Sequence, residues 1–197
     1  MSLAEGLLLE CVLTTTGTDG VNIAPMGPIV DETMSRVLLR PFRSSTTYRN
    51  LKGGGQAVLH VTDDVELIAR AALDKLSASP PTKRAPGGGV ILCGACRWYE
   101  LKIESIDDQQ QRTQIACQVV ERGRLRDFIG FNRAMHAVIE ATILATRLAF
   151  LPPSEVTDSL RRLAPLVEKT GGPRERRAFA LVQQTVAEQM EQHATNG

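Results

Sequence analysis

The chain has 197 residues, a formal net charge of +1 at pH 7 and a hydrophobic share of 43%. These values predict one globular domain with a real core, with or without an appended subdomain. The near-zero charge and the 4% share of aromatic residues argue against a nucleic-acid-binding surface and against recruitment to an anionic membrane.

Two further features bear on cellular location. No apolar run is long enough to cross a bilayer, and no signal peptide is visible. We therefore expect a cytoplasmic protein. In that compartment the four cysteines, which are Cys11, Cys93, Cys96 and Cys117, are expected to be free thiols.

The N-terminal part of the chain predicts short strands joined by hairpin turns. Leu7–Thr14 is rich in branched residues, and the Asp-Gly pair that follows is a strong hairpin signal. Val21–Gly27 is the predicted returning strand, in which Pro25 removes a backbone donor and requires an edge, a bulge or a break. Arg36–Arg40 is the predicted third strand.

The middle of the chain alternates in the same way. A short helix is predicted over Thr46–Lys52, a strand over Ala57–Thr62, and a helix over Val65–Leu76 that Asp63 or Asp64 caps. Residues 77–89 are rich in Pro, Gly and Ser and predict a long loop. Three further strands are predicted over 90–93, 97–106 and 112–121.

After Gly130 the pattern changes to helices. They are predicted over Phe131–Phe150, from a Ser154 cap to about Thr170, and from Arg174 to the early 190s. Strands at hairpin spacing followed by helices predict an α+β fold, mainly β, with a barrel or sandwich. Because the chain shows neither βαβ alternation nor a glycine-rich nucleotide motif, a dinucleotide-binding or P-loop fold is not expected.

The stretch Arg36–Leu51 is the strongest candidate for a binding site. A strand leads into four consecutive hydroxyl residues and a helix start, and four arginines flank them. Such a group of donors and positive charges suits an anion such as a phosphate. The strongest donors are Arg40, Ser45, Thr46 and Thr47, with Arg36 or Arg43 completing the charge. The alternative is a solvated basic turn whose serines only cap a helix.

The segment Asn22–Met26 is the second candidate. Its proline frees backbone groups that can face a ligand, and one short connection separates it from the arginine strand. The two segments could therefore face one pocket. The alternative is an ordinary strand that contains a proline.

These segments carry a resemblance to a known superfamily. The runs D-G-V-N-I-A-P-M-G at 19–27, R-V-L-L-R at 36–40 and S-S-T-T-Y-R-N-L at 44–51 resemble the FMN-binding split-barrel proteins, which include flavin reductases and pyridoxamine-phosphate oxidases. Within that superfamily the chain is similar to a prokaryotic family of unknown function, which has a comparable Asp-Asp strand end and a helix like Asn132–Glu140. The resemblance covers most of the chain.

The resemblance implies a split β-barrel over residues 1–128 that binds FMN, and a C-terminal three-helix subdomain over residues 129–197. It further implies a homodimer with FMN near the subunit interface, to which the helical subdomain contributes. Asn22–Met26 would lie along the isoalloxazine, and Arg36–Thr47 would hold the phosphate. The cofactor-binding residues implied are Asn22, Ile23, Ala24, Pro25, Met26, Arg36, Arg40, Phe42, Ser45, Thr46, Thr47 and Asn50.

The helix Phe131–Phe150 carries a polar stripe among apolar positions. Asn132, His136 and Glu140 recur at i, i+4, so they share one face that we expect to be at least partly buried. The favoured interpretation is a structural ion pair of Glu140 with Arg133 or Arg147. The alternative interpretation places Arg133 and His136 at the rim of the flavin pocket. No metal site is expected, because a second ligand pair at motif spacing is missing.

Cys93-Gly94-Ala95-Cys96 forms a C-x-x-C motif. Zinc binding would require a second ligand pair, and a redox motif is normally found at a helix start in a βαβ context. Because this motif lies among predicted strands, we favour a structural role.

Two functions from different classes remain open at this stage. One is a flavin-reductase-like oxidoreductase, in which FMN carries the redox chemistry and NAD(P)H or a small molecule is the reaction partner. The other is a non-catalytic protein that carries, stores or senses FMN or another phosphorylated ligand. No catalytic residue can be named from the sequence.

Overall fold

The structure, a computed structural model, describes residues 6–195. The chain divides into two compact units. The first contains the residues up to Thr62 together with Ser79–Phe128, and the second contains Asp63–Ala78 together with the chain from Ile129 onward. The predicted boundary near residue 128 therefore coincides with one change of unit, and an earlier segment of 16 residues also belongs to the helical unit.

Among the described residues, the first unit contains ten strands and one helix. The strands are β1 Leu7–Leu8, β2 Cys11–Gly17, β3 Gly20–Met26, β4 Ile29–Val30, β5 Arg36–Leu39, β6 Ala57–Val61, β7 Thr82–Arg84, β8 Val90–Leu92, β9 Arg97–Asp107 and β10 Gln114–Arg124, and the helix is α1 Thr46–Lys52. Eight strands form one sheet in the order β1-β4-β5-β10-β9-β6-β2-β3, and β7 and β8 form a separate hairpin. All pairings in the large sheet are antiparallel.

The large sheet is curled into an open barrel. β1 is at one end of the strand order and β2 and β3 are at the other, yet only two residues separate β1 from β2. So short a link can join them only if the two ends of the sheet approach each other. The backbone N–H of Leu9 donates to the Pro28 carbonyl at 3.1 Å, which ties this junction together.

The inner face of the barrel forms the main apolar core. Because side chains alternate along a strand, each strand sends every second residue inward. Leu13, Leu39, Leu59, Leu101 and Ile115 are buried there. The outer face has a smaller cluster in which Ile91 of β8 packs against Val58 and Trp98. The β7–β8 hairpin thus covers part of the outside of the sheet.

Two buried polar side chains attach this hairpin region to the sheet. His60 is fully buried, and its Nδ1 is 3.2 Å from the Val12 carbonyl while its Nε2 accepts the Leu92 N–H at 3.0 Å. The Glu100 carboxylate, 1% exposed, accepts the N–H groups of Gly87 and Gly89, both at 2.8 Å. Since buried polar groups are costly unless they are paired, these bonds fix the position of the hairpin.

The second unit is helical. It contains α2 Val65–Ala72, α3 Arg133–Ala145, α4 Pro153–Thr170 and α5 Pro173–Thr195. Its core is built from small and branched residues, among them Val138 and Ala141 of α3. Asp64 caps α2 by accepting the Leu67 N–H at 3.0 Å. Within the part of the chain that the structure describes, no helix combines the length and the hydropathy that a membrane span requires.

Several sequence-based boundaries were wrong. The predicted loop over 77–89 contains β7, whose residues are all exposed and carry no apolar alternation. The predicted helix over 131–150 ends at Ala145, and Ser154 does not cap α4, because that helix begins at Pro153 without a side-chain cap. Strands β1 and β4 have two residues each, which is too short for hydrophobic periodicity to indicate a strand.

Candidate functional site

The two segments singled out in the sequence are in contact. Asn22 on β3 donates through Nδ2 to Thr47 Oγ1 of α1 at 3.1 Å. A second bond runs parallel to it, in which Asn50 Nδ2 donates to Thr15 Oγ1 of β2 at 3.0 Å. Thr47 is 3% exposed and Thr15 is fully buried, so the start of α1 is fixed against the β2–β3 hairpin.

β3 presents the predicted flavin-facing segment at one end of the sheet. Asn22, Ile23, Ala24, Pro25 and Met26 are all partly exposed, which leaves each of them accessible. Pro25 lies opposite Val12 in the β2–β3 register and has no N–H to donate. Its presence fits a strand at the end of the sheet, as the sequence predicted.

The hydroxyl run is partly used inside the protein. Ser45 caps α1 by accepting the Tyr48 N–H at 3.1 Å, and its hydroxyl donates to the Phe42 carbonyl at 2.7 Å. Thr46 Oγ1 accepts from Arg49 at 2.8 Å. The capping interpretation of Ser45 is therefore correct. Because α1 has only seven residues, its N-terminus alone is a weak anion site.

Two arginines of the predicted site have different environments. Arg36 is exposed and its guanidinium forms an ion pair with Glu104 at 2.9 Å, across the outer surface of the sheet. Arg40 is partly buried, and its Nε is inaccessible to solvent and has no hydrogen-bond partner among the described residues. A buried donor that lacks an acceptor is costly, so an anionic ligand would supply what Arg40 lacks.

Phe42 and Asn50 complete the predicted set in this region. Phe42 is 55% exposed, and the guanidinium carbon of Arg112 lies 5.5 Å from the centre of its ring. This aromatic surface is available for stacking. Asn50 lines a cleft of about 450 Å³ between α1 and the β2–β3 turn, together with Thr46 and Arg49.

A polar triad that the sequence did not reveal fixes the other end of α1. Asp108, in the β9–β10 turn, accepts from Tyr48 at 2.5 Å and from Lys52 at 2.6 Å. The Lys52 hydrogen bond and then the Tyr48 hydrogen bond lower the pKa of Asp108 to about 2. The partners are 56 and 60 residues apart in sequence, so no local motif could have indicated them.

Another cleft of the barrel unit lies elsewhere. It has a volume of about 690 Å³, is mostly apolar, and is lined by none of the predicted cofactor-binding residues. Of the predicted residues, the structure thus brings together those of β3 and α1. It places Arg36 in an ion pair on the surface, away from the Asn22–Thr47 contact.

The polar stripe on α3 is not buried as predicted. Arg133, His136 and Glu140 are all exposed, because they lie on the solvent face of the helix. Asn132 is the N-cap, accepting the Ala134 N–H at 2.8 Å. The ion-pair network found in this unit is centred instead on Glu66, which binds Arg70 and Arg177, each at 2.8 Å.

The cysteines show no sign of a metal site. None of the four forms a disulfide; Cys93 is exposed, whereas Cys11, Cys96 and Cys117 are buried. Burial raises the pKa of both Cys11 and Cys117 to about 12, so these thiols are unreactive at neutral pH. Within residues 6–195, no three His, Cys, Asp or Glu side chains are grouped so that they could hold a metal ion.

The fold is shared with solved structures of flavin-binding proteins. An FMN-bound protein from Methanosarcina mazei matches with a TM-score of 0.80 at 23% identity, over 92% of this chain and 96% of that chain. An FMN-binding protein from Thermus thermophilus, with bound 1-cyclohex-2-enone, matches with a TM-score of 0.50 at 16% identity. This match covers 61% of this chain and 71% of that chain. A homologue of nitrilotriacetate monooxygenase component B from Mycobacterium thermoresistibile matches with a TM-score of 0.52 at 12% identity. This match covers 62% of this chain and 72% of that chain.

These likenesses confirm the predicted α+β split barrel. Two family models also match the sequence. The N-terminal domain of the protein of unknown function DUF447 matches residues 9–126, and the C-terminal DUF447 model matches residues 132–184. The M. mazei protein is assigned to the same family. The chain therefore belongs to the DUF447 family, and its fold is the split barrel that it shares with the FMN-bound M. mazei protein.

Proposed function

We propose that this protein binds FMN between β3 and the segment that runs from Arg40 into α1. The observation that carries the proposal is the Asn22–Thr47 hydrogen bond of 3.1 Å. It joins the two segments that the split-barrel resemblance assigns to the isoalloxazine and to the phosphate. FMN bound to the M. mazei protein, which has the same fold, supports the same ligand.

The residues present fit a phosphorylated ligand. The buried Arg40 Nε lacks a hydrogen-bond acceptor within the described chain, and a phosphate oxygen would provide one. Among the hydroxyls, Thr46 and Thr47 remain the better candidates, since Ser45 is engaged on both sides by the α1 cap and the Phe42 carbonyl. Arg36 is the weakest member of the set, because Glu104 already neutralises it.

The β3 segment fits the planar end of the ligand. Ala24 and Met26 are partly exposed apolar residues on one face of the strand, and Ile23 is on the other. Because Pro25 has no N–H, the backbone hydrogen bonds of β3 are interrupted at that residue. FMN, when bound, supplies hydride and electron transfer. The role of this chain is then to orient the ring and to exclude water, with backbone groups of β3 at its polar edge.

We further propose an oxidoreductase of the flavin-reductase type. The support is the shared fold, since the proteins that have it include a homologue of a monooxygenase component. NAD(P)H or another small molecule would be the reaction partner. The second candidate is a non-catalytic FMN carrier. The Ser45 cap and the Arg49–Thr46 hydrogen bond make the start of α1 rigid, which would suit retention of a phosphate.

Absorbance spectroscopy of the purified protein tests FMN binding. We expect a yellow protein whose flavin is released on denaturation, or an apo-protein that binds added FMN. A colourless protein that fails to bind FMN would exclude both candidates. Bleaching of the flavin by NADH or NADPH, faster with the protein than with free FMN, would favour the enzyme.

We propose a homodimer in the cytoplasm, with the barrel domain and the helical subdomain divided near residue 128 and the helical part contributing to the interface. An open barrel with free strand edges gives the physical motive. Light scattering should give twice the chain mass; a monomer would contradict the dimer. The proposal that Arg133 and His136 line the pocket rim is consistent with the exposure of both side chains.

A further inference from the structure

The barrel has an open end that forms a cavity of about 690 Å³. We name it the barrel-mouth cavity, and define it by Leu9, Val30, Met34, Val61 and Tyr99 in its wall. This volume lies in the range of pockets that hold small organic molecules, which are typically mostly apolar with a few polar groups. None of the residues proposed to hold FMN lines it.

One polar group in the wall is unused. Tyr99 is 7% exposed, and its hydroxyl forms no hydrogen bond with any described residue of the chain. The hydroxyl oxygen itself is not sealed from solvent, since Arg40 Nε is the one buried side-chain polar atom without a partner among the described residues. It can therefore exchange a bond to water for a bond to a ligand. Since Tyr99 lines the barrel-mouth cavity, a molecule in the cavity can provide that partner.

The wall is also held in a fixed shape. Met34 has a φ of 53°, which is unusual for a residue other than glycine. Asp31 holds this turn, because its Oδ1 accepts the Ser35 N–H at 2.8 Å and its backbone carbonyl accepts the Met34 N–H at 3.2 Å. Such a strained residue persists only where its surroundings enforce it, which indicates a preformed cavity wall.

The charged side chains that line the cavity leave a net charge of −1. Glu32 and Arg97 are exposed lining residues of opposite sign, and Asp31 adds a second negative charge. The hydrogen bonds that Asp31 accepts within its turn hold its carboxylate in place without removing its charge. An anionic ligand would therefore be repelled, and the mostly apolar wall favours a neutral one.

We propose that the barrel-mouth cavity binds a neutral, largely apolar cyclic molecule that carries one hydroxyl or carbonyl group, which hydrogen-bonds to Tyr99. This site is separate from the FMN site proposed above, and it does not depend on FMN binding. Val61, which lies opposite Arg97 in the β6–β9 register, is the position at which a larger side chain would occupy the cavity.

Isothermal titration calorimetry of the full-length protein with 2-naphthol tests the proposal. We expect binding to the wild type, and an affinity reduced about tenfold or more in Val61→Phe, which fills the cavity. Tyr99→Phe removes only the hydroxyl and should reduce the affinity about fivefold. The anion 2-naphthoate should bind about fivefold or more weakly than 2-naphthol.

Matched variants distinguish the cavity from other sites. Val120→Phe adds the same ring on the exposed side of β10, and Tyr48→Phe removes a hydroxyl that belongs to the Asp108 triad; both should bind 2-naphthol as the wild type does. The near-ultraviolet circular dichroism of each variant reports its folding. The proposal is overturned if 2-naphthol does not bind, if folded Val61→Phe binds it unchanged, or if saturating FMN displaces it.

Discussion

The Nδ2 of Asn22 and the Oγ1 of Thr47 are 3.1 Å apart, and this one hydrogen bond connects residues that are 25 positions apart in the sequence. Thr47 is buried and Asn22 is partly exposed, so the contact is partly shielded from water. The arrangement of the proposed flavin site therefore depends on it.

We expect Asn22→Leu and Thr47→Val each to weaken FMN binding about tenfold, by releasing α1 from β3. Because both remove the same bond, the double variant should lose little more than either single variant, with a coupling energy of about 1 kcal/mol. Quenching of flavin fluorescence gives the dissociation constants. Fully additive losses would mean that the two residues act independently.

Arg40 and Arg36 should differ in their contribution to phosphate binding. Arg40→Met is expected to weaken FMN binding by about tenfold to a hundredfold, since a charge-assisted bond to the phosphate is lost. Its affinity for riboflavin, which has no phosphate, should stay unchanged. Arg36→Met is the matched control, because Arg36 pairs with Glu104. Equal losses for FMN and riboflavin would place the phosphate away from Arg40.

His60 should make the protein sensitive to mild acid. Burial lowers its pKa from 6.5 to about 4, although the hydrogen bond to the Val12 carbonyl opposes this shift. Since the unfolded chain binds the proton more tightly, stability is complete above pH 6.5 and is lost as the pH falls toward 4. The loss should reach about 3 kcal/mol.

Urea denaturation between pH 7 and pH 4 measures this effect. A His60→Gln variant is expected to be less stable at pH 7 but to lose less stability on acidification. His136→Gln changes an exposed histidine and serves as the control. If His60→Gln keeps the full acid dependence, other groups are responsible for it.

Glu100 is expected to be a stability residue of the β7–β8 hairpin. Glu100→Gln replaces one acceptor oxygen by an amide that faces a backbone N–H, and should destabilise the protein by about 1–3 kcal/mol. Gly89→Ala should destabilise as well, because a Cβ there would lie 2.5 Å from Val58 Cγ2 and 2.8 Å from Glu100 Oε1. Thermal unfolding measures the stability of both variants. Glu104→Gln, at an exposed residue, is the control.

Local patterns predicted much of the fold and part of the site. The Asp-Gly turn, the Thr46–Lys52 helix and the alternation in the long hairpin were correct, because each is determined by neighbouring residues. The resemblance supplied the split barrel. In contrast, β7 has three exposed polar residues and depends on its partner β8 for its conformation, so its sequence carries no strand signal.

Sequence neighbours alone do not reveal contacts with distant residues. Arg36 was assigned to a phosphate because no acid lies near it in sequence, yet Glu104 is 68 positions away and adjacent in space. The stripe with His136 was expected to be buried because its neighbours are apolar, but the apolar positions alone face the core of the helical unit. His60 and Glu100 were missed, since nothing in a strand pattern distinguishes a buried polar residue from an exposed one.

Pro25 has a consequence for solubility as well as for binding. β3 is at the end of the sheet, where an uninterrupted strand would invite pairing with another chain. A residue without an N–H interrupts that edge while leaving it open to a small planar molecule. The same proline that makes β3 an imperfect strand would thus protect the protein from aggregation, and Pro25→Val should yield a chain that self-associates more readily in its ligand-free form.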